Sequence, residues 1–407
     1  MVEPRTRTVY RDAAVTDARS DRLRLGVSVL VEDGLIAWIR PADDEGPLAH
    51  GAGVDVVDAS GSTIVPGMVD AHSHLTLPGG AHWIDRIADD ANVLAEVAER
   101  NARLMTGAGV RWARDVGAPV VEDPIDGRRR ALSLGVRDRW AATPGGNVVY
   151  PYVRAAGTWV ERAGTIPGDR TAAANDADEL LALALRQLDD GADLVKLYLD
   201  GPGDPGVCPW SIEELRRVVE AVHARGSRVT AHAGRLDGAR KGVAGGVDAL
   251  EHGFELDDDV AAEMARRGTF LVSTLAVFRS WRTFGRTTTL SRFASDDGIA
   301  RLDAREEAAR ASVAAARRAG VRIATGTDFG GGSTRANQLA WEVESLVAAG
   351  LEPWEALAAA TWRGGELLGE AGAGTIREGG PADFVLVHGD PLSDPTSLWR
   401  VWRVAWA

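Results

Sequence analysis

Between residues 64 and 360, short apolar runs alternate with stretches of helical period, and that alternation restricts the chain to very few folds. The runs begin at Ile64, Val110, Tyr152, Leu194, Arg228, Val247, Thr269 and Val321. The stretches between them carry helix signals. Ser211 is a favoured N-cap, Glu214 three residues later completes a capping box, and Gly226 marks the stop. Strands separated by helices pair in parallel, because each helix carries the chain back along a face of the sheet. Eight such units predict an α/β fold, a closed (β/α)8 barrel of the TIM type. The alternative is an open doubly wound sheet. It loses weight because no glycine-rich phosphate loop follows the first run.

The flanks read differently. Residues 25–31 and 35–40 are separated by Glu32-Asp33-Gly34, a good hairpin turn, and 54–57 and 62–65 continue the strand pattern. At the other end, 382–387 is apolar and follows Glu378-Gly379-Gly380-Pro381. Pro391, Asp394 and Pro395 then break the chain before 399–406. Both ends therefore read as β-structure, residues 1–63 and 365–407, flanking a barrel at 64–364. At about 150 residues per domain, 407 residues suit one large domain and one small one.

Composition narrows the class of partner. Lys and Arg number 46 against 59 Asp and Glu, a net charge of −13, which disfavours nucleic acid and anionic membranes. No apolar run approaches the roughly 18 residues of a membrane helix. The first residues have basic character without an apolar core, so no signal peptide is expected. The single cysteine, Cys208, excludes an intramolecular disulfide and a cysteine-rich zinc site. The expectation is a cytoplasmic enzyme with a small-molecule substrate. A homo-oligomer is compatible with this class of fold.

The residues that carry chemistry fall at strand ends. His72 and His74 close the first run, two apart and so on one side of a strand. His232, His252 and Asp328 follow the runs beginning at Arg228, Val247 and Val321. In barrels the C-terminal strand ends form the active site, and imidazole is the commonest metal ligand. Each histidine alone reads as a satisfied core residue; together with Asp328 they read as a metal centre. Lys196 lies inside the apolar run 194–199. Lysine is rarely buried, so it is either a snorkelling edge residue or an amine of depressed pKa. A neutral amine can take up carbon dioxide and become a carbamate, a carboxylate able to bridge two metals.

In type, order and strand position, His72, His74, Lys196, His232, His252 and Asp328 resemble the amidohydrolase superfamily. The likeness spans nearly the whole chain. Residues 109–117 resemble the second strand of its imidazolonepropionase-like and prolidase-like branch; 250–253 and 273–277 resemble the sixth and seventh. Imidazolonepropionase is mononuclear and lacks the strand-four lysine, so Lys196 points to the binuclear, peptidase-like side. Members there cleave dipeptides and N-acyl or N-carbamoyl amino acids. One departure is visible: the family usually has an Asn near its Ala-Ala-Thr, where this chain reads Ala359-Ala360-Thr361-Trp362-Arg363-Gly364.

The resemblance implies a small β-sandwich made of both chain ends. It also implies two divalent metals, zinc by default, with Mn, Co or Fe compatible. His72, His74 and Asp328 would hold the more buried one, His232 and His252 the other, with Lys196 as N6-carboxylysine bridging them together with a hydroxide. Asp328 would take the proton of the attacking group and pass it to the leaving amine. Tyr198, on one face with Lys196, is expected to donate to the developing oxyanion, with a packed barrel aromatic as the alternative. Asp115 reads either as a carboxylate that supports the metal ligands or, paired with Arg114, as a structural one, and the structural reading is favoured. Substrate contacts are expected from Arg279 and Arg282 in the loop 278–286, which also carries Arg286, from Tyr150, Tyr152 and Arg154, and from His82 and Trp83. Two other readings stay open. One is a mononuclear hydrolase of cyclic amides, or a deaminase, of the same fold. The other is a scaffold protein on a decayed catalytic fold, which predicts lost ligands, and none of these positions is lost.

Overall fold

The structure is a computed structural model describing residues 6–46, 53–124, 126–143, 148–285 and 288–407. Its middle alternates strand and helix as the sequence predicts. Two parallel ladders result. One joins Met68–Ser73, Val110–Asp115 and Tyr152–Ala155. The other runs Ala172–Ala174, Trp159–Arg162, Leu194–Tyr198, Arg228–Ala233, Ala249–His252, Phe270–Ser273 and Ile323–Thr325. Its register sets Tyr198 beside His232 and Ala233 beside His252, so the functional side chains gather at one end.

The crossover helices form for the expected reasons. Ile212–Ala224 starts at Ser211, whose side chain accepts from the Glu214 amide while Glu214 reaches back, and it buries Leu215, Val218, Val219 and Val222. Asp257 caps Asp258–Arg267, and Gly268 ends that helix in the left-handed region.

Two expectations change in detail. The run at Ile64 is not the first parallel strand. Ile64 lies in Ser62–Pro66, which pairs antiparallel with Phe384–His388, and the parallel strand begins at Met68. Pro66 cannot donate to a ladder, and Gly67 turns the chain so tightly that a Cβ would lie 2.9 Å from the Asp383 carbonyl oxygen. The third strand is interrupted: Tyr152–Ala155 pairs with the second strand, and after a break Trp159–Arg162 pairs with Leu194–Tyr198. Between Met68–Ser73 and the last strand there is one isolated bridge, Ser73 to Phe329. Among the described residues, therefore, no single ladder runs unbroken round all the parallel strands.

The chain ends share one sheet in the order Val401–Ala405, Phe384–His388, Ser62–Pro66, Arg7–Val15, Arg24–Glu32, Leu35–Pro41, with Val54–Asp58 also pairing Arg7–Val15. The expected hairpin is there, with Asp33 and Gly34 at φ 51° and 78°. The last expected run is shorter, because Pro395–Trp399 is a 3-10 turn. The buried Arg111 fastens this sheet to the parallel strands: its guanidinium donates to Asp383 at 3.0 Å and to the Tyr150 carbonyl at 2.7 Å. No helix among the described residues is long and apolar enough to cross a membrane.

Candidate metal centre

His72, His74 and Asp328 converge so closely that their ligand atoms all lie within 4.8 Å of one another. Nε2 of each imidazole is 3.3 Å from Asp328 Oδ1. His72 and His74 share a strand face, as spacing by two requires. His252 and Asp328 break the alternation. Both adopt left-handed backbone, φ 68° and 53°, which is rare for residues with a side chain and costly enough to mark a functional position. By strict alternation Glu251 and His252 would face opposite ways. The left-handed turn instead lets Glu251 touch His72 while His252 lines the same cavity.

Each histidine is anchored through one ring nitrogen. His72 Nδ1 donates to Glu251 at 2.7 Å, His74 Nδ1 donates to the Gly117 carbonyl at 2.8 Å, and His252 Nδ1 pairs with Thr274 Oγ1 at 2.8 Å. His232 differs: its Nε2 pairs with Asp200 at 3.1 Å. The opposite nitrogen of each ring is left for a ligand, the outer-partner arrangement that metal-binding histidines use. His252 lies 4.6 Å, ring to ring, from both His72 and His232. His232 stacks on Tyr198 at 3.8 Å.

The protonation states suit a cation. Burial, then the charge of Lys196, lowers the pKa of His72; burial, then His232 and His72, holds His252 well below its usual value. Both imidazoles are neutral, the form that binds metal. Burial by itself raises the Asp328 carboxyl, but the hydrogen-bonding contacts with His72 and His74 outweigh it and hold its pKa well below the usual carboxylate range. Lys196 is 1% exposed, and burial above all lowers its amine to about 8. Two imidazoles and a carboxylate in a buried cluster fit a divalent metal. Glycines keep the space open: a Cβ on Gly331 would lie 2.5 Å from His74 and 2.7 Å from Asp328.

These residues open into a cavity of about 510 Å³ that Lys196, Tyr198, Asp200 and His232 also line. Apolar rings, Trp83, Trp159, Phe254 and Trp281, form much of its wall. Of the residues expected to touch substrate, Trp83 is in this lining and the others are not. His82 is exposed beside Asp85. Tyr152 opens its strand, so it lies at the end away from the centre, where its ring packs against Trp112 and Arg111. Arg154 pairs with Glu370, Arg279 with Glu344, and Arg282 with Asp303 and Glu306. Arg286 lies outside the described residues. Acidic partners hold these arginines: Glu344, Asp303 and Glu306 on helices, and Glu370 just past one.

A match to the Amidohydrolase family covers residues 63–404. The chain belongs to that family. An uncharacterised protein of Mycobacterium tuberculosis is 30% identical over 94% of this chain and 93% of its own length. The ochratoxinase of Aspergillus niger is 27% identical over 84% of this chain and 74% of its own. The crystal structure of a Xaa-Pro dipeptidase with bound methionine superposes with a TM-score of 0.82 at 22% identity, covering 98% of both chains. This amidohydrolase is thus a hydrolase acting on carbon–nitrogen bonds.

Apart from Asp115, sequence reasoning missed the groups that brace this amidohydrolase centre. Glu251 accepts from His72, Arg114 and Thr230 together, fixing one carboxylate between strands. Arg114 therefore pairs with Glu251 rather than with its neighbour Asp115. Asp115 instead accepts from the Leu75 amide at 2.7 Å, just beyond His74. Asp70 accepts from Thr327 Oγ1 at 2.6 Å and from the Thr327 amide at 3.0 Å, which positions the turn into Asp328. One signal was available: Asp70, Asp115 and Glu251 are charges inside strands that otherwise read as buried.

Proposed function

We propose that this chain hydrolyses an amide-type bond of a dipeptide or of an N-acyl or N-carbamoyl amino acid, using two divalent metals, zinc by default. His72, His74 and Asp328 would hold one. His232, His252 and N6-carboxylated Lys196 would complete the second, with Lys196 shared between them. The convergence of His72, His74 and Asp328 within 4.8 Å, on a cavity that Lys196 also lines, carries this reading. The dipeptidase-like and ochratoxinase likenesses support its bond type.

Bound metal would supply Lewis acidity and an acidified water. The chain's own groups do the rest. Asp328, ionised and 13% exposed in its side chain, takes the proton of the attacking water and delivers it to the departing nitrogen. The Tyr198 phenol, kept protonated because burial and then Asp200 and Asp328 raise its pKa, donates to the carbonyl oxygen as charge develops there. The apolar walls exclude water and seat a side chain. On this reading the two ladders form one closed barrel, residues 64–364, and 1–63 with 365–407 form a composite β-sandwich. The Ser73–Phe329 bridge and the sheet shared by both ends support that division. The enzyme would work on small molecules, in the cytoplasm, without nucleic acid or membrane.

The test is amine release from dipeptides and N-acyl amino acids, with protein produced with zinc and bicarbonate. Turnover that disappears in Lys196→Ala and Asp328→Asn upholds the reading. Metal-loaded protein that leaves the whole panel intact overturns it. One observation favours the mononuclear alternative: among the described residues only His72, His74 and Asp328 form a converged ligand set. One metal per chain rather than two would decide for it.

A further inference from the structure

The cavity has a second pole. Arg305, on the helix Asp296–Ala319, lines it half-buried, with its guanidinium 5.8 Å from the Phe254 ring and 6.0 Å from the Phe278 ring. Phe254 in turn lies 5.2 Å from His252, so this cation sits one aromatic ring away from the metal ligands. Among the described residues Arg305 makes no hydrogen bond and no ion pair. The other cavity arginines differ: Arg235 is bonded to Glu255, and Arg292 is exposed over Phe293. Burial, then the like charge of Arg235, disfavours the charge on Arg305, with Asp200 and Glu255 giving partial relief. A guanidinium held half-buried against aromatic rings without a partner is stabilised when an anion arrives, and its planar fork matches a carboxylate.

We propose that Arg305 receives a carboxylate of the substrate, so that this enzyme selects acyl amino acids or peptides with an anionic group on the side facing the helix Asp296–Ala319. The inference rests on the proposed bond type and adds the substrate's charge to it. The carboxylate comes either from the α-carboxyl of the leaving amino acid or from an acidic side chain.

Two substrate pairs separate these sources. N-acetyl-leucine against N-acetyl-leucinamide probes the α-carboxylate. N-acetyl-glutamic α-amide against N-acetyl-glutamine α-amide probes a side-chain carboxylate. The wild type should prefer the acid of one pair by roughly 100-fold in kcat/KM, mostly through KM. In Arg305→Met that ratio should fall to near one, and Arg305→Lys, which keeps the charge without the fork, should fall between. Because each ratio is internal to one protein, a general loss of activity does not imitate the result. Acid-to-amide ratios near one in the wild type, or ratios retained in Arg305→Met, overturn the proposal. If the wild type cleaves neither pair, the bond type fails while this inference is decided by calorimetric binding of the same compounds. Acid binding weakened about 100-fold in Arg305→Met supports it; equal binding overturns it.

Discussion

At Asp328 the backbone and the side chain make opposite demands. The carboxylate must reach His72 and His74, and this holds the residue at φ 53°. Asn tolerates that conformation nearly as well as Asp, so Asp328→Asn isolates the loss of the charge and the basic oxygen. Turnover should fall by at least about 100-fold, the usual contribution of a positioned acid–base group, with far-ultraviolet circular dichroism unchanged. Glu251 poses the complementary case. It touches no cavity, yet it takes hydrogen bonds from His72 and Arg114 while fully buried. Arg114 and then Lys196 overcome the effect of burial and hold it well below the usual carboxylate range. Glu251→Gln strands the Arg114 charge in the interior and loosens His72. It should cost about 3–5 kcal/mol of stability and weaken metal binding by about 10–100-fold. Urea unfolding and competition with a chromogenic chelator measure the two effects separately.

Strand ends are reliable only where the elements around them are held in place, and buried carboxyls do much of this. Glu342, on the helix Leu339–Ala348, accepts from Ser273 Oγ at 2.5 Å and from the Ala276 amide at 2.6 Å, joining that helix to a parallel strand and to the start of the helix Ala276–Arg282. Burial above all raises its pKa from 4.5 to about 7. A carboxyl with a raised folded-state pKa binds its proton more tightly in the folded chain. Its contribution to stability is therefore full below pH 4.5 and is lost as pH rises through 7. Relative to Glu342→Gln, which does not titrate, the wild type should lose on the order of 3 kcal/mol between pH 4.5 and 8. Denaturation midpoints of both proteins across that range test it, and parallel curves would refute it. Glu342 also shows where sequence reading stops. Periodicity and caps made the helices legible, and spacing placed His72, His74, His232, His252 and Asp328 at strand ends and Lys196 inside a strand. Nothing in the spacing shows that Glu342, Glu251 or Asp70 points inward to a partner hundreds of residues away or on another helix. Arg279 and Arg282, expected as substrate contacts, are held in ion pairs on the helix Ala276–Arg282, and for a related reason this was not legible: an arginine reads as free until the acidic residues packed against it are known. Arg305 was hidden because it sits in the middle of a helix whose neighbours are charged and small.

Across the whole molecule the centre is a device for coupling distant segments. Asp70 and Thr327 are 257 positions apart, and their bond sets two metal-ligand candidates side by side. An unfolded chain offers no such constellation, so metal bound at this site stabilises the folded state by mass action. At free metal about 100 times the Kd, the gain is about 2.7 kcal/mol for each site. Dialysis against a chelator should therefore lower the thermal midpoint by several degrees, and zinc should restore it. Lys196 decides how large the restoration is. If its carbamate completes the second site, Lys196→Ala binds about one metal per chain where the wild type binds about two, and it recovers roughly half the zinc-dependent increment. The metal-free midpoint of the variant is not a safe comparison. Removing an amine that is 1% exposed relieves a buried charge and leaves a void, and these effects oppose each other. Only the increment on adding zinc, with bicarbonate present, isolates the second site. Equal increments and equal stoichiometry in wild type and Lys196→Ala would mean that Lys196 stays an amine. His232 and His252 would then serve a mononuclear centre as walls and donors rather than as ligands.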